Sequence, residues 1–265
     1  MKSFFGQGRL LIAHRGGAQR WPENTLLAFQ RAYDLGYRWI ETDVQLSADG
    51  ELVLFHDLAL ERTTDGEGPL AAQSLAELRR LDAAYHFSHD GQTFPHRGTG
   101  VRIPTLAEAL AMAPDLYINL EMKGRDRRLP ELLWRFIDTH GVHDRVLVAS
   151  ANDAMTARFR SVASERVATS AGKRGIFGFW LAVRAGVAAR LHPPWDALQV
   201  PVRHGALQVV DRRFVEAAHA LRVKVHVWTV NDPIEMRWLD GLGVDGIMSD
   251  RPQVLLETLG DGSPP

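Results

Sequence analysis

The chain has 265 residues, 45% of them hydrophobic, with a formal net charge of −1 and no cysteine. That length and hydrophobic content suit one large domain or two small ones with a full core, and the charge balance argues against a nucleic-acid partner or an acidic tail. Without cysteine there are no disulfides and no thiolate metal sites.

The N-terminal stretch "MKSFFGQGRLLIAHRGG" holds one lysine and only short apolar pieces, followed by His14-Arg15 and no small-residue cleavage site. It predicts no signal peptide, hence a cytoplasmic protein. No run of about 18 uncharged apolar residues occurs, so no transmembrane segment is expected. The nearest, Gly175 to Leu191, is broken by Arg184 and Arg190. In chain order, the pattern predicts a strand at 10–14, a helix at 24–36 and a strand at 39–44. After an irregular stretch come a helix at 105–113, a strand at 116–123, a helix at 129–140 and a strand at 145–150. Then follow helix 153–164, strand 166–171, helix 177–190, strand 197–202, helix 211–222, strand 224–230, helix 233–242, strand 245–250 and a last helix near 252–259. Eight strand–helix units over one domain spanning 1–265 predict an α/β fold, a (β/α)8 TIM barrel. A doubly wound open sheet is the alternative, but it usually has fewer strands, and no glycine-rich dinucleotide loop is present.

One segment departs from the alternation. Residues 58–104, after the second strand, are rich in His, Gly and aromatics and read as a small insertion. Such insertions between barrel elements form caps or lids over a site, or solvated loops with a few packed aromatics.

Strand parity then selects the inward side chains. In "WIETDV", Glu41 and Asp43 share a face with Trp39. In "LYINLEMK", Tyr117, Asn119, Glu121 and Lys123 share the polar face. His14 ends the first strand, and barrel active sites lie at the C-terminal ends of strands. Asp49-Gly50 is a two-residue hairpin signal. A regular hairpin about that centre sets His56 opposite Asp43, where directly paired residues lie about 5 Å apart. Singly, these residues have ordinary readings: an exposed strand edge, a Glu121–Lys123 ion pair, hydrogen-bonded packing histidines. Together they converge on one end of the barrel.

Three carboxylates, Glu41, Asp43 and Glu121, describe an oxygen-donor site for a divalent cation, Mg²⁺ or Ca²⁺, with Mn²⁺ as a third choice. Counting that cation with Arg15 and Lys123 leaves about one net positive charge, suited to a phosphodiester. Histidine is the side chain type that exchanges protons in the physiological range, so His14 and His56 suit a general acid and base. Arg15 offers paired donors to phosphate oxygens.

"HRG" at 14–16, "PENT" at 22–25, "ETD" at 41–43, "HD" at 56–57, "EMK" at 121–123 and "VWTVND" at 227–232 resemble the glycerophosphodiester phosphodiesterase family. These motifs stand in the family's order, and the likeness runs from about Leu10 to Pro252. The resemblance implies a TIM-barrel enzyme that cleaves small-molecule glycerophosphodiesters to glycerol 3-phosphate and an alcohol. By motif, His14 and His56 match its acid/base pair, and Glu41, Asp43 and Glu121 its metal ligands. Arg15 and Lys123 match its phosphate-contacting residues, and Trp228 an aromatic lining the substrate pocket. It further implies attack by the glycerol 2-hydroxyl and opening of a cyclic phosphate by water, with His14 adopted as base and His56 as acid.

Around this core, Gly16 and Gly17 are expected to let the backbone approach ligand. Asn24 is expected to cap the first helix, with a place near the phosphate as the alternative, and Glu23 to orient its neighbours. Trp21 departs from the smaller residue common in the family. Two rival functions share these residues. One is a lysophospholipase D, using Tyr85, Phe87, Phe94, Phe177, Phe179 and Trp180 as an acyl-chain groove. The other is a phosphate-binding barrel without activity.

Overall fold

The computed structural model describes residues 2–124 and 126–260. Eight parallel strands carry the architecture: β1 (Leu10–His14), β2 (Trp39–Leu46), β4 (Tyr117–Met122), β5 (Val146–Ala149), β6 (Ala168–Thr169), β7 (Ala197–Val200), β10 (Lys224–Val227) and β11 (Gly246–Ser249). A short β3 (Leu52–Leu54) pairs antiparallel with β2, and β8 (Arg203–His204) and β9 (Leu207–Gln208) form a separate hairpin. The parallel strands follow the order β6-β5-β4-β2-β1-β11-β10-β7. The ends of that path meet through a single bridge, Ser170 to Ala197, so the sheet is a nearly closed (β/α)8 barrel.

Outward side chains of the strands pack under α1 (Leu26–Asp34), α3 (Leu106–Ala111), α4 (Leu129–His140), α5 (Asp153–Val162), α6 (Lys173–Arg184), α7 (Arg212–Ala220), α8 (Pro233–Leu242) and α9 (Pro252–Leu259). This layer holds most of the core, Val44, Ile118, Leu120, Val148, Leu198 and Ile247 among it. Side-chain caps set several helix starts, including Thr25 on α1, Thr105 on α3, Asn152 on α5 and Asp232 on α8. Among the described residues, no helix is long and apolar enough to cross a membrane.

The barrel interior is a second core. Leu10, Ile12, Leu147, Ala149, Ala168, Ala197 and Met248 fill it, with Trp39 stacked on Tyr117 at 4.9 Å. Phe4 and Phe5, on a 3₁₀ turn before β1, close its N-terminal end, and the Trp39 indole N–H donates to the Phe4 carbonyl at 2.8 Å. Above them lies a polar layer. The Gln199 amide donates to Asn119 Oδ1 at 3.0 Å and lies 3.3 Å from His226 Nδ1.

Three sequence expectations shift. Helix α6 spans 173–184, not 177–190. In its first turn the N–H groups of Arg174 and Gly175 are capped by the Asp153 carboxylate at 2.9 and 3.1 Å, a partner from another helix that local spacing cannot reveal. Gly186, at φ +70°, then ends it. The hairpin after β2 is shifted by one residue: Val44 faces Leu54, and Leu46 faces Leu52. Its loop is three residues long, with Gly50 at φ +85°, because Asp49 is drawn to Ser47 Oγ and to the Leu75 N–H at the start of α2 (Leu75–Leu78). Third, the insertion is compact. Leu60, Leu70, Leu78, Ala83 and Ile103 form a small core of their own with Val53 and Phe55.

His226 is wholly buried, and burial pushes its pKa down to about 4 from 6.5. The folded state therefore resists a proton that the unfolded chain accepts, so its stability falls as pH drops from 6.5 toward 4. The expected loss is on the order of 3 kcal/mol. Urea denaturation across this range should show the wild-type advantage over His226→Gln shrinking by about that amount. A pH-independent difference between the two would contradict a neutral buried imidazole.

Candidate active site

The C-terminal ends of β1, β2 and β4 place three carboxylates side by side. Parallel pairing aligns His14 with Glu41 and Asp43 with Glu121. Glu41, Asp43 and Glu121 each offer an oxygen, and these oxygens lie within 4.8 Å of one another. Such a set of hard oxygen donors fits a divalent cation. Burial, and then the neighbouring Asp43 charge, push the Glu41 carboxyl up to about 7. For Asp43, burial works in the same direction, but Lys123, Arg15 and His56 overcome it and hold its pKa below the ordinary carboxylate value.

Asp43 is 1% exposed and sits beneath the others. Lys123 Nζ reaches it at 3.3 Å and Glu121 at 2.9 Å, while Arg15 Nε lies 3.3 Å from its other oxygen. The Asn24 amide donates to Asp43 at 2.9 Å, and its carbonyl accepts from Thr42 Oγ1 at 2.7 Å. Asn24 thus secures the carboxylate. The cap of α1 is Thr25, which accepts from the Ala28 N–H. Asn24 spends its own side chain on β2 because its backbone sits at φ +56°, turned away from the helix start.

The loop after β1 is held in an unusual conformation. Arg15, Gly16 and Gly17 have φ of +51°, +82° and +106°. This turn aims the Arg15 N–H at Glu41, 3.2 Å away. The glycines are required by packing. A Cβ on Gly16 would meet Ala28 and Phe29 at 2.8 Å, and one on Gly17 would meet Pro252 at 2.9 Å. Glu23 bridges two arginines, accepting from Arg15 at 3.0 Å and from Arg62 at 2.7 Å.

Both histidines are backed by an aspartate. His14 Nδ1 lies 2.7 Å from Asp250 at the end of β11, and its Nε2 lies 3.6 Å from Glu41. Burial alone would lower the His14 pKa, but Glu41 and Asp250 outweigh it, and it stands above the ordinary value. Asn231 holds Asp250 at 3.0 Å and accepts from the Asp250 N–H at 2.9 Å. His56 Nδ1 lies 2.5 Å from Asp57, which is paired in turn with Arg62. The expected ladder position of His56 opposite Asp43 belongs instead to Phe55, whose N–H donates to the Asp43 carbonyl at 2.9 Å. His56 reaches the site because β3 stops at Leu54 and the chain turns. The Gln45 amide fixes that turn, donating to the carbonyls of Phe55 and Asp57 at 2.8 and 2.7 Å.

His14, Arg15, Glu41, His56, Glu121, Lys123 and Trp228 line a single cavity of about 290 Å³. All sequence-selected residues therefore meet here, with Asp43 as the buried member beneath. Among the described residues, no side chain of 58–104 lines this cavity. The proposed acyl groove does not assemble: Phe179 is buried against Phe214, the Trp180 indole donates to the Gln208 carbonyl, and Arg97 stacks on Tyr85 and Phe94.

Residues 14–254 match the model of the glycerophosphoryl diester phosphodiesterase family. The chain belongs to that family. A glycerophosphodiester phosphodiesterase of Caldanaerobacter subterraneus is 33% identical over 258 residues, covering 96% of this chain and 98% of the relative. Among solved structures, the glycerophosphoryl diester phosphodiesterase domain of a Mycobacterium tuberculosis protein superposes with a TM-score of 0.83. It is 23% identical and covers 95% of this chain and 98% of that one, a likeness of fold. An Oleispira antarctica phosphodiesterase, solved with its product sn-glycerol-3-phosphate, has a TM-score of 0.76 at 29% identity. It covers 95% of this chain and 96% of its own.

Four residues that hold the site together carry no candidate role in the sequence alone: Asp250, Asn231, Gln45 and Arg62. Asp250 carried a signal, since an aspartate closing the last strand must lie beside β1 once the barrel closes. The other three act through contacts that depend on loop paths. The loop after β1 yields a direct test. Gly16→Ala combines a disfavoured φ with overlap against α1, and should cost about 2 kcal/mol or more in urea denaturation. An unchanged midpoint would mean the loop is not held as described.

Proposed function

We propose that the chain hydrolyses glycerophosphodiesters to glycerol 3-phosphate and an alcohol, assisted by a divalent cation. The observation that supports this most is that two aspartate-backed histidines open onto the same cavity as the acidic triad. The product bound by the Oleispira antarctica relative supports the same substrate class.

Glu41, Asp43 and Glu121 are the residues proposed to hold the cation, and their oxygen-only donor set favours Mg²⁺ or Ca²⁺, then Mn²⁺. When bound, the cation draws electron density from the phosphoryl oxygens and acidifies a nearby hydroxyl. Arg15 and Lys123 bind the remaining phosphate oxygens. Asp250 and Asp57 hold the Nδ1–H of His14 and His56, leaving each Nε2 for proton transfer. His14, whose Nε2 faces Glu41, takes the proton from the glycerol 2-hydroxyl as that oxygen attacks phosphorus. His56 protonates the departing alcohol. Water then opens the cyclic phosphate with the two histidines exchanging roles, and glycerol 3-phosphate leaves. Trp228, 42% exposed, offers an apolar wall at the cavity mouth.

His14→Ala should lower hydrolysis of glycerophosphocholine by at least about a hundredfold while retaining Mg²⁺ binding in calorimetry. Undiminished turnover in this variant would sink the assignment. Exclusive turnover of lysophosphatidylcholine in a parallel assay would move the activity to the lysolipid. Glu121→Gln should weaken divalent-cation binding by about tenfold or more, and an unchanged affinity would place the ion elsewhere.

A further inference from the structure

Beside the triad cavity lies a larger cleft of about 680 Å³. It is bounded by the loop after β1, the start of α9 and the insertion. Arg20, Arg62 and Arg251 line it with His86 and His89, and Glu23 is the one acidic side chain among its lining residues. Glu23 is already answered twice, by Arg15 and by Arg62. Among the described residues, the Arg251 side chain donates to a neutral partner, the Gln19 side-chain oxygen at 2.5 Å. Arg20 is exposed. The walls thus carry a surplus of positive charge in a chain whose net charge is −1.

The cleft and the triad cavity share a wall. Arg62 on the cleft side holds Asp57, and Asp57 holds His56 on the cavity side. Glu23 ties Arg62 to Arg15 across the same wall. An alcohol leaving beside His56 is separated from the cleft by two side chains, Asp57 and Arg62. Guanidinium groups unanswered by carboxylates recognise phosphate through charge-assisted, paired hydrogen bonds.

We propose that this cleft binds a second phosphate, carried by the leaving alcohol. The preferred substrates are then glycerophosphodiesters whose alcohol itself bears a phosphate or a further phosphodiester. This proposal rests on the phosphodiesterase reading above and on the place of His56 beside the departing oxygen.

The test compares kcat/KM for glycerophosphoethanolamine and for a diester of glycerol phosphate with a phosphorylated glycerol. The wild-type protein should favour the second by about tenfold or more. In Arg20→Ala/Arg251→Ala that advantage should collapse, with glycerophosphoethanolamine turnover unchanged, because both side chains lie outside the triad cavity. Arg62 is left intact because it holds Asp57. Equal kcat/KM for both diesters, or an advantage that survives the double substitution, would overturn the proposal. A second readout is independent of turnover. On titration with glycerol 3-phosphate, the ring signals of His86 and His89 should shift in the wild type and stay fixed in the double variant. Fixed signals in both, or equal shifts in both, would also overturn it. If neither diester is hydrolysed, the phosphodiesterase reading fails, and the imidazole titration still decides the cleft.

Discussion

Three carboxylates crowded at one end of a barrel demand compensation, and much of the surrounding structure answers that demand. Two unit negative charges at about 4–5 Å repel by about 3–4 kcal/mol at the effective dielectric of a protein site. Arg15 and Lys123 oppose part of this, and Asn24 gives Asp43 a hydrogen bond while Thr42 holds Asn24. The uncommon backbone of Arg15 brings its own N–H to Glu41. Strain of about 1–3 kcal/mol in such a residue is the size of energy that one charge-assisted hydrogen bond offsets. What the two cations leave uncompensated is the electrostatic opening for a divalent ion.

Much of this was legible from the order of residues. The alternation of strand and helix patterns indicated the barrel. Parity within "WIETDV" and "LYINLEMK" aimed Glu41, Asp43 and Glu121 inward, since side-chain direction along a strand follows from local geometry. The parallel register that aligns Asp43 with Glu121 then follows from barrel closure. His14 needed no more than its position at the end of β1.

The less legible features share one property: they depend on contacts between segments distant in sequence. The hairpin register turned on Asp49, which is claimed by the start of α2 as well as by its own loop. One added loop residue moved Phe55 to the place expected for His56, and Gln45 restored the histidine to the site by gripping the backbone on either side. The α6 start was hidden because its cap belongs to Asp153. The same holds for the insertion, whose composition suggested a cover but whose apolar residues fold onto themselves.

The single bridge between β6 and β7 leaves one thin seam in an otherwise continuous ladder. Lys2 spans that seam from outside the sheet, donating to the Val167 carbonyl at 2.7 Å before β6 and to Asp196 at 2.9 Å before β7. Asp196 in turn accepts from the Thr169 N–H at 2.9 Å. Two residues on, Phe4 and Phe5 stopper the barrel floor. The opening segment of the chain is therefore a clasp. It fastens the circle of strands where their own hydrogen bonds run short, and it does so from the end of the barrel opposite the chemistry.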